Sequence, residues 1–157
     1  MQGKDAKFKE LSDAMAEFLD LYAYSGDTVY RDYGNGDPVT MTQVHMLGTI
    51  EDKPGITATE LSRLKRRKKS SISQVLSVLT EKGYIQRIVD ERDSKKYCLY
   101  VTEKGHELCK LHCQYDIESM SKTYQKLQLH CTEEELDHFS KVLRVYIQVR
   151  KEQLGLQ

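Results

Sequence analysis

The chain has 157 residues, of which 39% are hydrophobic and 31% are charged, and its 24 basic and 24 acidic side chains give a formal net charge of +0. This length suits one domain, or one domain with a dimerising extension, and the balanced charge gives no bulk argument for a nucleic-acid partner. No apolar run approaches the roughly 20 residues that cross a bilayer, and the N-terminus lacks a signal-peptide core, so we expect a cytoplasmic protein without a membrane partner.

The N-terminal third predicts two amphipathic helices separated by a loop. In the first, over about residues 5–24, the apolar side chains recur every three or four positions, at Phe8, Leu11, Met15, Phe18 and Tyr22. Residues 25–39 contain Gly34-Asn-Gly-Asp-Pro38 and predict a loop. Thr40-x-x-Gln43 then has the form of a capping box, and it predicts a helix whose buried stripe is Val44, Leu47 and Ile50.

The stretch from Ile56 to Thr102 predicts two short helices followed by a hairpin. Thr57-x-x-Glu60 is a second capping box, and it starts a helix carrying Leu61 and Leu64. A second helix starts at Ser70 and ends at Gly83, with an apolar stripe at Ile72, Val75, Leu76 and Leu79. Two strand-like runs, 84–89 and 97–101, flank a polar tip at 90–96. This order of elements is that of a winged helix-turn-helix, whose second helix enters a DNA major groove.

The polar face of that second helix suits base reading. Its short hydroxyl and amide side chains can hydrogen-bond base edges: Ser70, Ser71, Ser73, Gln74 and Ser77. A cationic run precedes them, where phosphates would pass: Lys65, Arg66, Arg67, Lys68 and Lys69. A charge run by itself is more often a solvated turn, and its position in the helix-turn-helix favours the DNA interpretation.

After the hairpin, the pattern predicts a long helix from Glu103 to about Leu129 and a last helix that a capping box starts at Thr132. The long helix has apolar groups on two neighbouring sides, which indicates two packing partners. We therefore predict a winged core over about 40–102 and dimerisation helices over about 5–24 and 103–154.

Ile56 to Gly105 resembles the DNA-binding core of the MarR family of transcription regulators. The matching motifs are Glu60-Leu-Ser62, Leu79-Thr-Glu-Lys-Gly83, Gly83-Tyr-Ile-Gln-Arg87 and Val101-Thr-Glu-Lys-Gly105. The resemblance implies one MarR-like domain over 1–157, mainly α with a small β-hairpin wing, which forms a homodimer on a palindrome-like DNA operator. It also implies a transcriptional regulator that is not an enzyme and needs no cofactor.

The resemblance assigns the wing a DNA contact with one departure from the family. The family's Asp-x-Arg signature reads Asp93-Ser-Lys95 here, and lysine is a hydrated point charge rather than a planar fork. We expect Arg92, Lys95 and Lys96 to reach the minor groove or its phosphates, while Asp93 orients one of these cations.

A small aromatic effector is a further expectation from the resemblance. Tyrosines crowd the end of the first helix, and Phe18, Tyr22, His45 and Met46 are the candidate lining of a pocket. Tyrosine clusters more often serve packing, so both interpretations stay open.

Thiol sensing and metal binding are alternatives within the same fold. Cys98 and Cys131 are the candidate redox thiols, with Lys95 and Lys96 near Cys98 to lower its pKa. His106, Cys109 and Cys113 share a helix face, but Cys109 and Cys113 also lie on the apolar stripe, where cysteine packs well, so we expect no metal site. A winged-helix module that binds an acidic protein partner instead of DNA is the alternative from another class.

Overall fold

The computed structural model describes residues 2–90 and 93–156. These residues form six helices and four strands, in the order α1 (Gln2–Asp27), β1 (Tyr30–Arg31), β2 (Val39–Thr40), α2 (Met41–Asp52), α3 (Ala58–Lys65), α4 (Lys69–Glu81), β3 (Ile85–Asp90), β4 (Asp93–Val101), α5 (Glu103–Leu127) and α6 (Glu133–Gln153). The predicted fold class, mainly helical with a small hairpin wing, is confirmed.

The chain divides into two compact units, Met1–Gln114 and Tyr115–Gln157, and α5 runs across the boundary. The first unit contains every element from α1 to β4. The interpretation of 1–157 as one domain remains a prediction.

Threonine capping boxes start three of the helices. The hydroxyls of Thr40, Thr57 and Thr132 accept the backbone N–H three residues on, and the glutamine or glutamate at that position accepts the threonine N–H in return. Each box satisfies two backbone donors that the first helical turn leaves without partners, and is worth about 1 kcal/mol. These three helix starts are the ones predicted from the sequence.

The helix-turn-helix core is a small apolar cluster from α2, α3 and α4. Its fully or almost fully buried side chains are Leu47, Ile50, Leu61, Ile72, Leu76 and Leu79. Because Ile72, Leu76 and Leu79 follow helical spacing, they turn one side of α4 inward and leave the opposite side in solvent. Of the two leucines of α3 singled out in the sequence, Leu61 is fully buried and Leu64 is 47% exposed.

The wing is an antiparallel hairpin that begins with Ile85 opposite Val101 and contains an irregularity after Val89. The backbone before α3 adds a short third segment, because the Gly55 N–H donates to the Leu99 carbonyl at 2.9 Å and the Leu99 N–H donates to the Ile56 carbonyl at 3.1 Å. The predicted tip over 90–96 was too long. Asp90 pairs with Asp93, so residues 93–96 belong to β4.

The predicted loop over 25–39 was wrong at both ends. Helix α1 continues to Asp27, and Tyr30 and Arg31 pair with Thr40 and Val39 in a two-strand ladder. Between the strands, one carboxylate oxygen of Asp32 accepts three backbone N–H groups, from Gly34, Asn35 and Gly36, at 2.8–3.0 Å. This local network fixes a turn that hydrophobic periodicity alone does not reveal.

Several apolar stripes remain uncovered in the single chain. In the first unit they lie on α1, at Phe8, Leu11, Phe18, Leu19 and Tyr22, each more than half exposed. In the second unit they lie on α5 and α6, at Ile117, Met120, Phe139, Val142 and Ile147, each about half exposed or more. Leu136 is buried in the second unit, at 6% exposure. Apolar exposure on this scale is typical of a protein–protein contact surface.

The start of α5 lies against the backbone of the wing root. The Tyr84 carbonyl accepts the Thr102 N–H at 3.0 Å, and the Thr102 hydroxyl donates to the Gly83 carbonyl at 2.7 Å. Gly105 sits so close that an added Cβ would lie 2.2 Å from the Tyr84 carbonyl oxygen and 2.6 Å from a methyl group of Val101. Glycine at this position therefore permits the close approach of helix and hairpin.

Gly105→Ala should lower the free energy of unfolding by about 1–3 kcal/mol, because the clash outweighs the better helix propensity of alanine. Gly48→Ala in α2 is the matched control, since no atom lies within 4 Å of its added Cβ. The control should stabilise the fold by up to about 1 kcal/mol. Urea unfolding at a fixed protein concentration measures both, and equal stabilisation by the two substitutions would contradict the close packing at Gly105.

Candidate nucleic-acid interface

Helix α4 presents a polar face opposite its buried stripe. Ser70, Ser73, Gln74 and Ser77 are exposed, whereas Ser71 is half-buried and is a weaker candidate for base contact. Unlike the N-cap residues of α2, α3 and α6, the N-cap residue of α4, Lys68, makes no side-chain hydrogen bond to the first turn of its helix. Its first backbone N–H groups and the partial positive charge of the helix dipole therefore face outward beside Lys68 and Lys69, an arrangement that favours anions.

The turn between α3 and α4 carries the predicted cationic run, and all five of its basic side chains are exposed. Arg66 has a left-handed backbone, with φ of 53°, and it is the non-glycine residue with positive φ in the part of the chain described. The Ser62 hydroxyl donates to the Arg67 carbonyl at 2.7 Å and closes the turn. The backbone thus fixes where the cations project.

The wing contains an ion pair between two of the residues singled out in the sequence. The ammonium group of Lys96 lies 3.3 Å from the carboxylate of Asp93, the acid of the Asp-x-Lys signature. Lys95 belongs to β4, but its side chain lies outside the described residues, as does the whole of Arg92.

An ionic network that sequence reasoning missed joins the end of α4 to the wing root and α5. Asp37 forms ion pairs with Lys82 and with Lys104, the latter at 3.2 Å, and accepts a hydrogen bond from the Tyr84 hydroxyl at 2.8 Å. Asn35 donates to the Tyr84 oxygen at 3.0 Å. Lys104 also lies 4.5 Å from the centre of the Tyr84 ring, within cation–π range. The partners are separated by 45 to 67 residues, so only a three-dimensional fold brings them together.

The network shifts two pKa values in opposite directions. The hydrogen bond from Lys82 holds the pKa of Asp37 at about 2, below its usual 3.8, with smaller contributions from Tyr84 and Lys104. Burial raises the pKa of Tyr84 to about 12, and the hydrogen bond to Asp37 adds to the effect. Each shift favours the protonation state in which the two groups are bonded.

The proposed effector residues do not share one environment in the single chain. Phe18 and Tyr22 are 62% and 53% exposed on α1, with ring centroids 6.0 Å apart. Met46 is buried in the core of the first unit. His45 is exposed, and its ring lies 5.1 Å from that of His112, which in turn contacts the Tyr33 ring at 5.0 Å. The structure therefore brings together Phe18 and Tyr22, and separately His45, His112 and Tyr33.

The surroundings of Cys98, a candidate redox thiol, favour its protonated form. Burial raises the pKa of this thiol, and the Asp90 carboxylate, 3.7 Å from Sγ, raises it further. Burial and this neighbouring carboxylate both disfavour the reactive thiolate. Cys131 is half-exposed between α5 and α6.

The three side chains that share one face of α5, His106, Cys109 and Cys113, differ in their burial and in their partners. Nδ1 of His106 lies 2.6 Å from Glu51. Cys109 is buried, and burial together with a hydrogen bond to Glu51 raises the pKa of its thiol to about 12. Cys113 is exposed. A buried, protonated thiol is a poor metal ligand and a good small core residue.

Among the described residues, no helix combines the length and apolar character that a bilayer crossing requires.

Comparison with known proteins agrees with this architecture. The family model described as MarR family matches residues 37–96, which run from the Asp37 network to the wing. The crystal structure of MarR is 28% identical to this chain, covers 74% of it and 77% of the MarR chain, and superimposes with a TM-score of 0.63. Over residues 37–96 the chain resembles the MarR family, and it is similar in fold to the crystal structure of MarR.

Two further MarR-like matches extend the comparison. A Bacillus subtilis protein named as an uncharacterised HTH-type transcriptional regulator, YhjH, is 25% identical over 84 residues, which are 54% of this chain and 48% of YhjH. The match therefore spans about half the length of that relative. The Streptococcus pneumoniae FabT structure, solved in complex with DNA, is 20% identical, covers 95% of this chain and 98% of FabT, and has a TM-score of 0.64. At that identity the likeness shows the fold alone.

Asp37→Asn should lower the free energy of unfolding at pH 7 by about 1–2 kcal/mol, because it removes a partly buried carboxylate from two cations. Since the pKa of Asp37 is depressed, the stabilisation is complete above pH 4 and is lost as the pH falls towards about 2. The difference between variant and wild type, measured by urea unfolding across this range, should shrink accordingly.

Asp13→Asn is the control for that series, because Asp13 pairs with Lys9 at 2.7 Å on the solvent-exposed face of α1. Its effect should be small at every pH. A wild-type advantage over Asp37→Asn that persisted unchanged at pH 2 would show that the carboxylate charge is not what stabilises the network.

Proposed function

We propose that this protein, which resembles the MarR family, is a sequence-specific double-stranded DNA-binding regulator of transcription. The observation that carries the proposal is the division of α4 into two faces. One face anchors the helix in the core through Ile72, Leu76 and Leu79, and the other presents Ser73, Gln74 and Ser77 to solvent. Small hydroxyl and amide groups on a rigid helix are suited to hydrogen-bond base edges in a major groove.

The local charge supports the same function although the net charge is zero. Lys65 to Lys69 are exposed in one short turn at the start of α4, where phosphates of a groove-bound duplex would lie. The uncapped first turn of α4 adds backbone N–H donors beside them. Phosphate contacts of this kind supply affinity, while the α4 face supplies sequence preference.

We propose that the functional form is a homodimer. The stripes on α1, the second half of α5 and α6 expose large apolar side chains that a second copy can cover. A two-fold dimer would present two α4 helices to half-sites roughly 34 Å apart on a palindrome-like operator. FabT, a structural relative, was solved bound to DNA, which is in keeping with this mode of action.

A small aromatic effector is proposed to modulate DNA binding. Phe18 and Tyr22 already form an exposed aromatic pair on α1, and a ligand there would gain stacking and apolar burial. Alanine at either position should abolish release by an effector found in a thermal-shift screen of aromatic acids and phenols, measured at protein concentrations at which sedimentation shows that each variant is still a dimer. A screen without any hit, or release that survives both substitutions, would remove this part of the proposal.

Selection of bound sequences from a random pool of duplexes tests specificity, symmetry and half-site spacing together. We expect a palindrome-like site with half-sites about one helical turn apart, and a dimer by sedimentation equilibrium. A monomer that enriches no sequence even at low salt would overturn the proposal. Binding to an acidic protein without a duplex preference would favour the protein-interaction module.

Gln74→Ala and Lys68→Ala should separate base reading from phosphate binding on the selected site. Gln74→Ala should relax the preference at one base pair by about 1–3 kcal/mol. Lys68→Ala should weaken all sequences alike and reduce the slope of log affinity against log salt concentration by about one. Identical behaviour of the two variants in salt titrations would contradict this division between the face and the turn.

A further inference from the structure

A charged groove separates the helix-turn-helix from the wing. It has a volume of about 590 Å³ and is lined by the first part of α3, by Ser73 and Leu76 of α4 and by both strands of the hairpin. Ser73 thus belongs both to the exposed face of α4 and to the wall of this groove. All of these residues lie within the first compact unit.

Three basic side chains line the groove: Arg63 from α3, Arg87 from β3 and Lys96 from β4, each exposed. Two carboxylates accompany them, Glu60 and Asp90. Lys96 is paired with Asp93 outside the lining, so Arg63 and Arg87 are the cations that an anion entering the groove would meet.

The carboxylates are already engaged in other contacts. One oxygen of Glu60 accepts the Thr57 N–H at 2.8 Å and the Thr57 hydroxyl at 2.7 Å, and these bonds lower the pKa of Glu60. The carboxylate of Asp90 accepts a hydrogen bond from the Cys98 thiol. Arg63 is close enough to Glu60 to contribute to the lowering of its pKa, but among the residues described no salt bridge holds Arg63 or Arg87. Their guanidinium groups remain available for an external anion.

In bound duplex DNA, the anion would be a backbone phosphate. A helix in the major groove and a wing in the adjacent minor groove must lie on opposite sides of one sugar–phosphate strand, because a single strand separates neighbouring grooves. That strand has to cross the space between α4 and the wing. The groove carrying Arg63 and Arg87 is this space.

We propose that Arg63 and Arg87 hold the backbone phosphates of the strand that passes between α4 and the wing. This inference rests on the proposed function and adds a third contact region to the α4 face and the cationic turn. Guanidinium groups suit the task, since their planar fork donates two hydrogen bonds to one phosphate. These contacts fix how deeply the wing enters the minor groove and are independent of base sequence.

Salt titration of full-length Arg87→Gln on the selected duplex and on an unrelated duplex tests the inference. The slope of log affinity against log salt concentration should fall by about one for both duplexes. The affinity of the variant should then be roughly eightfold below that of the wild type at about 0.1 M salt and roughly fourfold below it at about 0.2 M. Arg87→Lys keeps the charge and should keep the slope. Lys110→Gln, an exposed charge change on α5, should bind as wild type does.

Ethylation interference gives a second readout that a merely structural role of Arg87 would not reproduce. Ethylated phosphates beside each half-site, on the strand facing the wing, should block wild-type binding and lose that effect with Arg87→Gln. Arg63→Gln carries the same test from α3 if thermal melting shows that Arg87→Gln is destabilised.

The possible failures are distinguishable. If Arg87→Gln and Arg63→Gln both keep the wild-type slope while Lys68→Ala lowers it, DNA binding stands and the phosphate site in the groove is overturned. If the wild-type chain binds no duplex at low salt, the proposed function fails and this inference fails with it.

Discussion

The position of α4 relative to the wing depends on Tyr84. Its ring is completely buried, its N–H donates to the Leu79 carbonyl at the end of α4, and its carbonyl accepts the N–H of Thr102 before α5. Its hydroxyl reaches Asp37, which holds Lys82 and Lys104 from the two neighbouring elements. One residue thus connects α4, the hairpin and α5. Because each connection is a buried or charge-assisted contact, the joint between them is stiff.

Such stiffness matters for recognition, because base contacts need side chains held within a fraction of an ångström of their partners. The polar face of α4 has few long side chains that could adapt to an imperfect fit. Its serines reach only a short distance from the backbone, so the backbone itself must be placed correctly. The close packing of Gly105 against Tyr84 and Val101, and the ion pair of Asp37 with Lys82 at the C-terminal end of α4, support this placement.

Local patterns in the sequence predicted much of the fold, because capping boxes and apolar stripes are encoded within a few residues. Thr57 with Glu60, and Ile72 with Leu76, are examples. The Asp37 network was missed since its partners are 45 or more residues apart. Arg87, which we propose as a phosphate contact, was not singled out from the sequence, because a strand pattern does not reveal which groove a side chain lines. At Cys98, sequence proximity suggested lysine neighbours, whereas the hairpin register places Asp90 beside the sulfur.

The pKa values of Asp37 and Tyr84, the two titratable groups that are hydrogen-bonded to each other at the root of the wing, lie far apart. With the pKa of Asp37 at about 2 and that of Tyr84 at about 12, the carboxyl stays ionised and the phenol stays neutral across the mildly acidic, neutral and mildly alkaline range. The coupling between helix and hairpin is therefore indifferent to proton concentration. If the protein is the regulator proposed above, titration of these two groups would not change the position of α4 relative to the wing during acid or alkaline stress, and a response to such stress would need other titratable groups.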